Sequence, residues 1–540
     1  MAVPPIPQAR TAVMVKAVRV PVLLDVVVGL LTAVALPLAV VAIPNTISIV
    51  AALLPPDIPP VSMMRAHGLA LPAMLLTVPF AAIAVRRFRA APVLVAGLTL
   101  LALADVAGGY AGSAWLVGVL RVLHGIGAGM LVPGTLAAVL ERPRKSVLLP
   151  IWAGMLAASL LSAQALALWP LDKVQSWRVT LQPYPLLTGI ALALAAAYLV
   201  LWLIRGDAER ASAPTGAASA DREGQAGTDA EVAAPLSAAP EETANRSSRA
   251  ERVRLIRTAV PSAGIAVLAI GMTFDWSPNL VVIAAALALV VMLGLVATGT
   301  FEEPGGRALA FANVAVGLVV LPTAAQTTYL ELGGVGGPGL SGIWLPFVLA
   351  AVSALLAALL AARTPLSLAF RLTNGGLAVV VAGLCAIRLL VPQPYGPPLV
   401  VPFVLLAAGA AVALVSALRL AGQGSALLGL SLCVPAVMAG FLLASGIQFL
   451  LLEEVSRSSD PNRQAVLGGF VDALHTGALA GGFVVVVVIV LASVLARRDG
   501  ASGGAFSRGG AVRGEQVVIP APTPSPEGED GTTGESLTDR

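Results

Sequence analysis

From Val20 to Ala496 the chain is built of gapless apolar segments, each about twenty residues long, separated by short loops and one long polar interruption. A hydrocarbon core of about 30 Å takes about 20 apolar residues per helix, and only helices or closed barrels can satisfy their backbone groups in lipid. Repetition of that unit confines the chain to a membrane-embedded helical bundle. With 57% hydrophobic and 11% charged residues among 540, and a mean hydropathy of +0.90, it has too little polar surface to cover a water-soluble globule.

Fourteen spans are predicted, at residues 20–44, 67–85, 91–110, 114–139, 147–169, 183–204, 255–274, 280–298, 308–330, 342–362, 375–391, 398–418, 426–452 and 468–496. Loops on alternate sides should then alternate in Lys and Arg content, with the excess inside. Starting from a cytoplasmic N-terminus, the inner segments hold Arg10, Lys16 and Arg19, then Arg86, Arg87 and Arg89, then Arg142, Arg144 and Lys145. Later inner segments hold Arg307, Arg363, Arg371, Arg419, Arg497 and Arg498. The outer loops hold fewer: Arg65, Lys173, Arg178, Arg388 at a helix end, Arg457 and Arg463, which mostly sit beside Asp57, Asp172, Glu453, Glu454 and Asp460. Both termini are therefore expected in the cytoplasm. The first span runs into the Pro-rich PPDIPP stretch without a small-x-small cleavage pattern, and is expected to stay as a signal anchor. Cys385 and Cys433 fall inside predicted helices and read as small apolar packing residues. Scarce Lys beside abundant Arg, Ala, Gly and Val points to a high-GC bacterial genome and hence a plasma membrane, and a net charge of +4 carries no nucleic-acid signal.

Residues 1–19 form a cytoplasmic N-terminus and 20–204 an N-terminal six-helix bundle. Residues 205–254 turn small, acidic and finally basic, as expected of a disordered cytoplasmic linker, and 497–540 form a second disordered segment, a tail. Two helical groups joined through a cytoplasmic loop form the layout in which one bundle rocks against the other around a midplane site. A rigid scaffold can share that layout.

The fourth span reads WLVGVLRVLHGIGAGMLVPGTLAAVLERPRK, with Arg121, His124, Gly125, Gly127, Gly129, Pro133 and Gly134. This resembles the helix 4 motif of the major facilitator superfamily, in particular its fourteen-helix drug/proton antiporter branch, where Arg-x-x-Gln-Gly-x-Gly-x-Gly is followed by Pro. The stretch from IWAG at Ile151 to SWRVTLQPYP is similar to that family's fifth helix, Trp-Arg pair and helix-opening Pro, and LPTAAQTTYLELGGVGGPGLSGIWLPFVLA is similar to a segment of its C-terminal half. The resemblance implies an all-α, two-bundle fold of about fourteen helices, with 255–298 a helix pair inserted before a C-terminal six-helix bundle at 299–496. It also implies proton-coupled efflux of an apolar or amphipathic small molecule by alternating access. The departures are specific. The loop between the second and third helices normally reads Gly-x-Leu-x-Asp-Arg-x-Gly-Arg, but here PFAAIAVRRFRAAPV keeps only the arginines Arg86, Arg87 and Arg89 of the cytoplasmic gate. The Gly-Pro motif of helix 5 is replaced by AGMLAASLLSAQALALWP.

Ionisable groups at membrane depth cost about 2.5–3.5 kcal/mol on insertion scales and are candidate functional groups. At 1.5 Å per residue, Arg121 lies roughly 10 Å inside the outer end of its helix and Asp105 roughly 8 Å inside the outer end of the preceding one, so the two are expected to pair. Asp25 lies roughly 8 Å inside the inner end of the first helix, from which direct contact with Arg121 needs a long reach or water. Arg121, His124, Asp25 and Asp105 are the candidates for proton or substrate coupling, each with a structural alternative: a helix tie, a packing imidazole, a snorkelling or helix-start carboxylate, an outer-rim charge. Gln164, Gln326, Gln448, Asp472 and His475 are candidates to line a cavity, although interhelical hydrogen bonds would also satisfy the amides. Gly125 and Gly129 form a small-xxx-small packing face. No Walker-type phosphate loop, metal-ligand spacing or GxSxG sequence appears, so neither an enzyme nor a bound metal or cofactor is expected. The expected partners are the lipid bilayer, a small-molecule substrate and a proton, with the protein a monomer or weak oligomer. The alternative is a facilitator-like protein that does not transport and serves as a scaffold or accessory subunit of a membrane complex.

Overall fold

Thirteen helices among the described residues are long and apolar enough to cross a membrane, and Ala259–Gly271 is an apolar but shorter fourteenth. The computed structural model describes residues 8–46, 50, 53–56, 58–171, 176–211, 259–271, 276–298, 304–331, 339–392, 397–457 and 463–509, and contains no strand among them. The linker, most of the C-terminal tail and both ends of the expected span 255–274 lie outside the described residues. Residues 1–495 form one compact unit, and the remaining residues, described only to Gly509, a second.

In chain order the first part comprises α1 (Gln8–Val41), α2 (Pro60–His67), α3 (Ala70–Phe88), α4 (Ala90–Gly108), α5 (Ala114–Leu140), α6 (Lys145–Leu168) and α7 (Pro185–Ala211). After the linker come α8 (Ala259–Gly271), α9 (Pro278–Ala297), α10 (Pro304–Tyr329), α11 (Gly339–Ala362), α12 (Ala369–Leu390), α13 (Val400–Leu420), α14 (Gln423–Leu430), α15 (Cys433–Ser456) and α16 (Arg463–Gly509). Local chemistry explains several boundaries. Ser113 Oγ accepts the Leu116 N–H at 3.3 Å to cap α5, and Ser277 Oγ does the same for Leu280 at the start of α9. Pro59 and Pro60 open α2, where a missing N–H costs nothing. The expected second span at 67–85 is thus α3, and α2 lengthens it at the N-terminal side to Pro60–Phe88, with the helices divided at Gly68 and Leu69.

The two parts meet chiefly along α6, which packs against α10, α11 and α13, and where α3 touches α15 and α14 touches α3 and α5. Gly154 makes the α6–α11 approach close, since a Cβ there would sit 3.0 Å from the Leu355 Cα. The whole apolar stretch of α10 is buried, so this helix, apolar all round, is central. The corresponding stretches of α7 and α9 are only 22% and 28% buried, which leaves most of their surface to lipid. Helix α9 packs on α10 and α15. Cys433 is buried, whereas Cys385, expected to be a packing residue, is exposed on α12.

Candidate functional site

Helix α5 is drawn between its neighbours by glycines on more than one face. A Cβ at Gly125 would collide with the Ala70 carbonyl of α3, and one at Gly129 would meet Thr77 of α3 at 2.8 Å. A Cβ at Gly127 would stand 2.7 Å from the Gly97 carbonyl of α4. Such contact lets the backbones close around Arg121 and His124, which are each 4% exposed.

Arg121 donates from Nε to the His67 carbonyl and from Nη2 to the Ala42 carbonyl, both at 3.0 Å. These carbonyls lie at the C-terminal ends of α2 and α1, where helices leave carbonyls unpaired and partial negative charge collects. The guanidinium is therefore held by peptide dipoles. The expected hydrogen-bonded pair with Asp105 is not made: Asp105 Oδ1 lies 2.9 Å from His124 Nε2, and His124 Nδ1 lies 2.9 Å from the Leu120 carbonyl. Height along the helices is matched, but Arg121 reaches toward α1 and α2 while His124 reaches α4.

The imidazole geometry counts protons. A carbonyl oxygen can only accept, so Nδ1 carries a hydrogen toward Leu120. Nε2 and the Asp105 oxygen can then share a hydrogen bond only if one further proton lies between them, as imidazolium with carboxylate or imidazole with carboxylic acid. A cavity of about 30 Å³ adjoins the pair, lined by Asp105, Arg121 and His124 together with Thr46, Thr180 and Tyr184. It holds about one or two waters.

Asp25 belongs to a separate site at the other end of the bundle. Arg142 donates from Nε to Asp25 Oδ1 at 2.7 Å and from Nη2 to the Pro21 carbonyl at 3.0 Å, and exposed Arg144 stands 3.8 Å from Oδ2. Beside it, Glu141 Oε1 accepts the Ala90 N–H at 3.4 Å and its Oε2 accepts the Tyr198 hydroxyl at 3.3 Å. An acid just past the end of α5 thus serves the start of α4, at the turn after α3. Burial raises the Glu141 carboxyl above its usual range, opposed by the Ala90 N–H and by Arg89. Arg86, Arg87 and Arg89 are exposed; Arg89 takes a positive φ of 71° at the turn, and Arg87 lies over the Phe88 ring.

The remaining candidates are dispersed. Gln164 is buried on α6 with Nε2 lacking a partner. Gln326 lines a cavity of about 70 Å³ with Thr323, Pro322 and Gly477, between α10, α15 and α16. Half-buried Gln448 is outside that lining. Asp472 is exposed, and His475 donates from Nε2 to the Val391 carbonyl at 2.8 Å. Sequence reasoning missed His67, Arg142, Glu141 and the fully buried Glu331 just beyond α10. Arg142 and Glu141 were masked by counting loop charges only for topology.

No family model matches the chain, and no curated protein matches it. Among solved structures it is similar to a bacterial homolog of the human lysosomal transporter Spinster in an inward-facing, unoccupied conformation, with 13% identity over 89% of this chain and 97% of that one and a TM-score of 0.47. It is also similar to the xylose transporter XylE from E. coli in a partially occluded inward-open conformation, with 12% identity over 84% and 97% and a TM-score of 0.43.

Proposed function

We propose that the chain is a secondary-active transporter of major-facilitator type in a bacterial plasma membrane, coupling proton movement to efflux of an apolar or amphipathic small molecule by alternating access. The observation that carries this reading is the buried His124–Asp105 pair, whose geometry holds one proton beside a cavity at the end of the bundle that the arginine distribution assigns to the outside. Loss of that proton leaves two acceptors facing each other and drives α4 from α5. Arg121 moves with α5, so the change is passed through its carbonyl bonds to the ends of α1 and α2. Efflux and the substrate class come from the resemblance of the helix 4 motif.

A test needs no substrate. Thr32 is 1% exposed in α1, and a Thr32→Cys variant in a background with Cys385 and Cys433 changed to Ser can be probed with impermeant maleimide in right-side-out and inverted vesicles. Labelling from both sides, with a balance that shifts with pH and ceases to shift after His124→Gln, is expected. Labelling from one side at every pH overturns the reading in favour of the scaffold. That second reading is favoured by the small cavities at the candidate residues, about 30 and 70 Å³ against the roughly 300–1,000 Å³ of small-molecule sites; a cavity of about 480 Å³ between Ser62, Leu69, Trp115 and Leu123 falls in that range but contains none of those residues.

A further inference from the structure

The groove of about 480 Å³ between α2, the start of α3 and the outer part of α5 takes no part in the site described above. Ser62 and Leu69 belong to one wall, and Trp115, Gly118, Val122 and Leu123 of α5 to the other. The one hydroxyl of the lining is already used, since Ser62 Oγ donates to the Pro59 carbonyl at 2.7 Å. Hydrocarbon is therefore what the groove fits. Its length and position narrow the choice. The lining residues of α5 run from Ala114, the first of the helix, to Leu123, about 13 Å at 1.5 Å per residue. One leaflet of a hydrocarbon core of about 30 Å is about 15 Å deep, so the groove spans nearly one leaflet. It starts at the end of the bundle that the arginine distribution assigns to the outside. Trp115 at its mouth and Tyr110, in the turn before α5, are 78% and 83% exposed, and such aromatics collect at the level of lipid headgroups. Between the walls, a Cβ on Gly118 would meet Leu69 Cδ1 at 3.3 Å, so the helices close on each other there and give the groove a floor. Arg65 brings charge to the same place. It is half-buried and lies three residues after Ser62 and four before Leu69, on the face of α2 that borders the groove. Its guanidinium has five donors in a planar fork, a shape that matches phosphate.

We propose that this groove binds one acyl chain of an outer-leaflet phospholipid, whose phosphate is held by Arg65 at the mouth. A chain lying along the bilayer normal fills an apolar slot one leaflet deep, and its headgroup then stands level with Arg65 and Trp115. The bound lipid braces α2 against α5, and α2 is the helix whose terminal His67 carbonyl holds Arg121. The site stands whether the chain transports or serves as a scaffold.

The probe is dioleoyl phosphatidylglycerol, titrated onto the delipidated full-length protein at a fixed detergent concentration, with bound molecules counted by native mass spectrometry. Val119→Trp and Val122→Trp fill the groove from α5, and Val119 is 37% exposed, so the added bulk there stays out of the core. Wild type is expected to retain one phospholipid saturably, and both filled variants to bind it on the order of tenfold more weakly, with unchanged unfolding in lipid-free detergent. Wild type should also prefer phosphatidylglycerol over dioleoylglycerol, which lacks the phosphate, and Arg65→Gln should abolish that preference. Equal retention by wild type and both filled variants overturns the proposal, because the lipid then belongs to the general annulus. A preference for phosphatidylglycerol that survives Arg65→Gln overturns it as well. A dimer of wild type that separates in the filled variants, with no lipid retained, assigns the groove to a second copy of the chain instead.

Discussion

Two buried arginines bracket α5, and they are held in opposite ways. Arg121, near the outer end, rests on the carbonyls of His67 and Ala42, while Arg142, just past the inner end, rests on the carboxylate of Asp25 and the carbonyl of Pro21. The outer guanidinium is held by the dipoles of two helix ends, the inner one by a full opposite charge. In the proton-coupled reading proposed above, the proton-holding pair of the outer end is then His124 with Asp105, and Arg121 ties α5 to the ends of α1 and α2. At the inner end the charge pair clamps α1 to the connection from α5 to α6.

The largest effect expected follows from stranding a charge at the inner end. Arg142→Ala leaves the buried Asp25 carboxylate with only the exposed Arg144, 3.8 Å away, and should destabilise the protein by about 3 kcal/mol, whereas the double change Arg142→Met with Asp25→Leu should recover most of the loss. Unfolding by SDS in mixed micelles measures both. Equal losses in the single and double variants would show that the pair is not held by its charges, and the contrast with Arg121 would vanish.

At the outer end, Arg121→Met leaves two carbonyls unpaired and should cost about 2–4 kcal/mol in the same assay. The cost should not change with pH between acid and neutral conditions, because neither acceptor titrates. A cost that fades on acidification would mean that a carboxylate does hold Arg121 after all. A variant that fails to insert would show that Arg121 acts first as a tie of the fold. Gly125→Ala attacks the same end without touching charge. Its Cβ collides with Ala70, which follows His67 in the chain by three residues, so α3 must back away, at about 1–3 kcal/mol. Maleimide labelling of a cysteine placed at Thr46 in the outer cavity should rise in this variant, while the Asp25–Arg142 end stays closed.

Which parts of this contrast were legible in the sequence follows from what one dimension can encode. Apolar runs mark the spans because lipid demands them one helix at a time, whereas the matched heights of Arg121 and Asp105 led to an expected pair, and the two line one cavity without a hydrogen bond between them. Azimuth was the missing coordinate. Three residues separate Arg121 from His124, which is enough to send one toward α1 and α2 and the other toward α4. The sequence reads 45–66 as a connection containing the Pro-rich PPDIPP, whereas Pro59 and Pro60 open a helix whose last residue, His67, presents its carbonyl to Arg121. Arg142 and Glu141 looked like two charges of an inner loop, because nothing local says that Asp25, on a helix more than a hundred residues earlier, lies 2.7 Å from one of them.

The smallest expected effect sharpens the inner half of the comparison. Glu141 is raised chiefly by burial, and its folded-state carboxyl therefore takes a proton more readily than in the unfolded chain. A raised acid contributes stability that is fully present below its unfolded value, near the ordinary 4.5, and is lost as the pH climbs through the folded value. Wild type should thus gain stability as the pH is lowered from neutral toward that range, and Glu141→Gln should not share this part of the gain. Thermal unfolding across pH in wild type and Glu141→Gln measures the difference. If Glu141→Gln follows the wild-type profile throughout, the carboxyl is hydrated well enough to titrate as it does in the unfolded chain, and burial does not raise it.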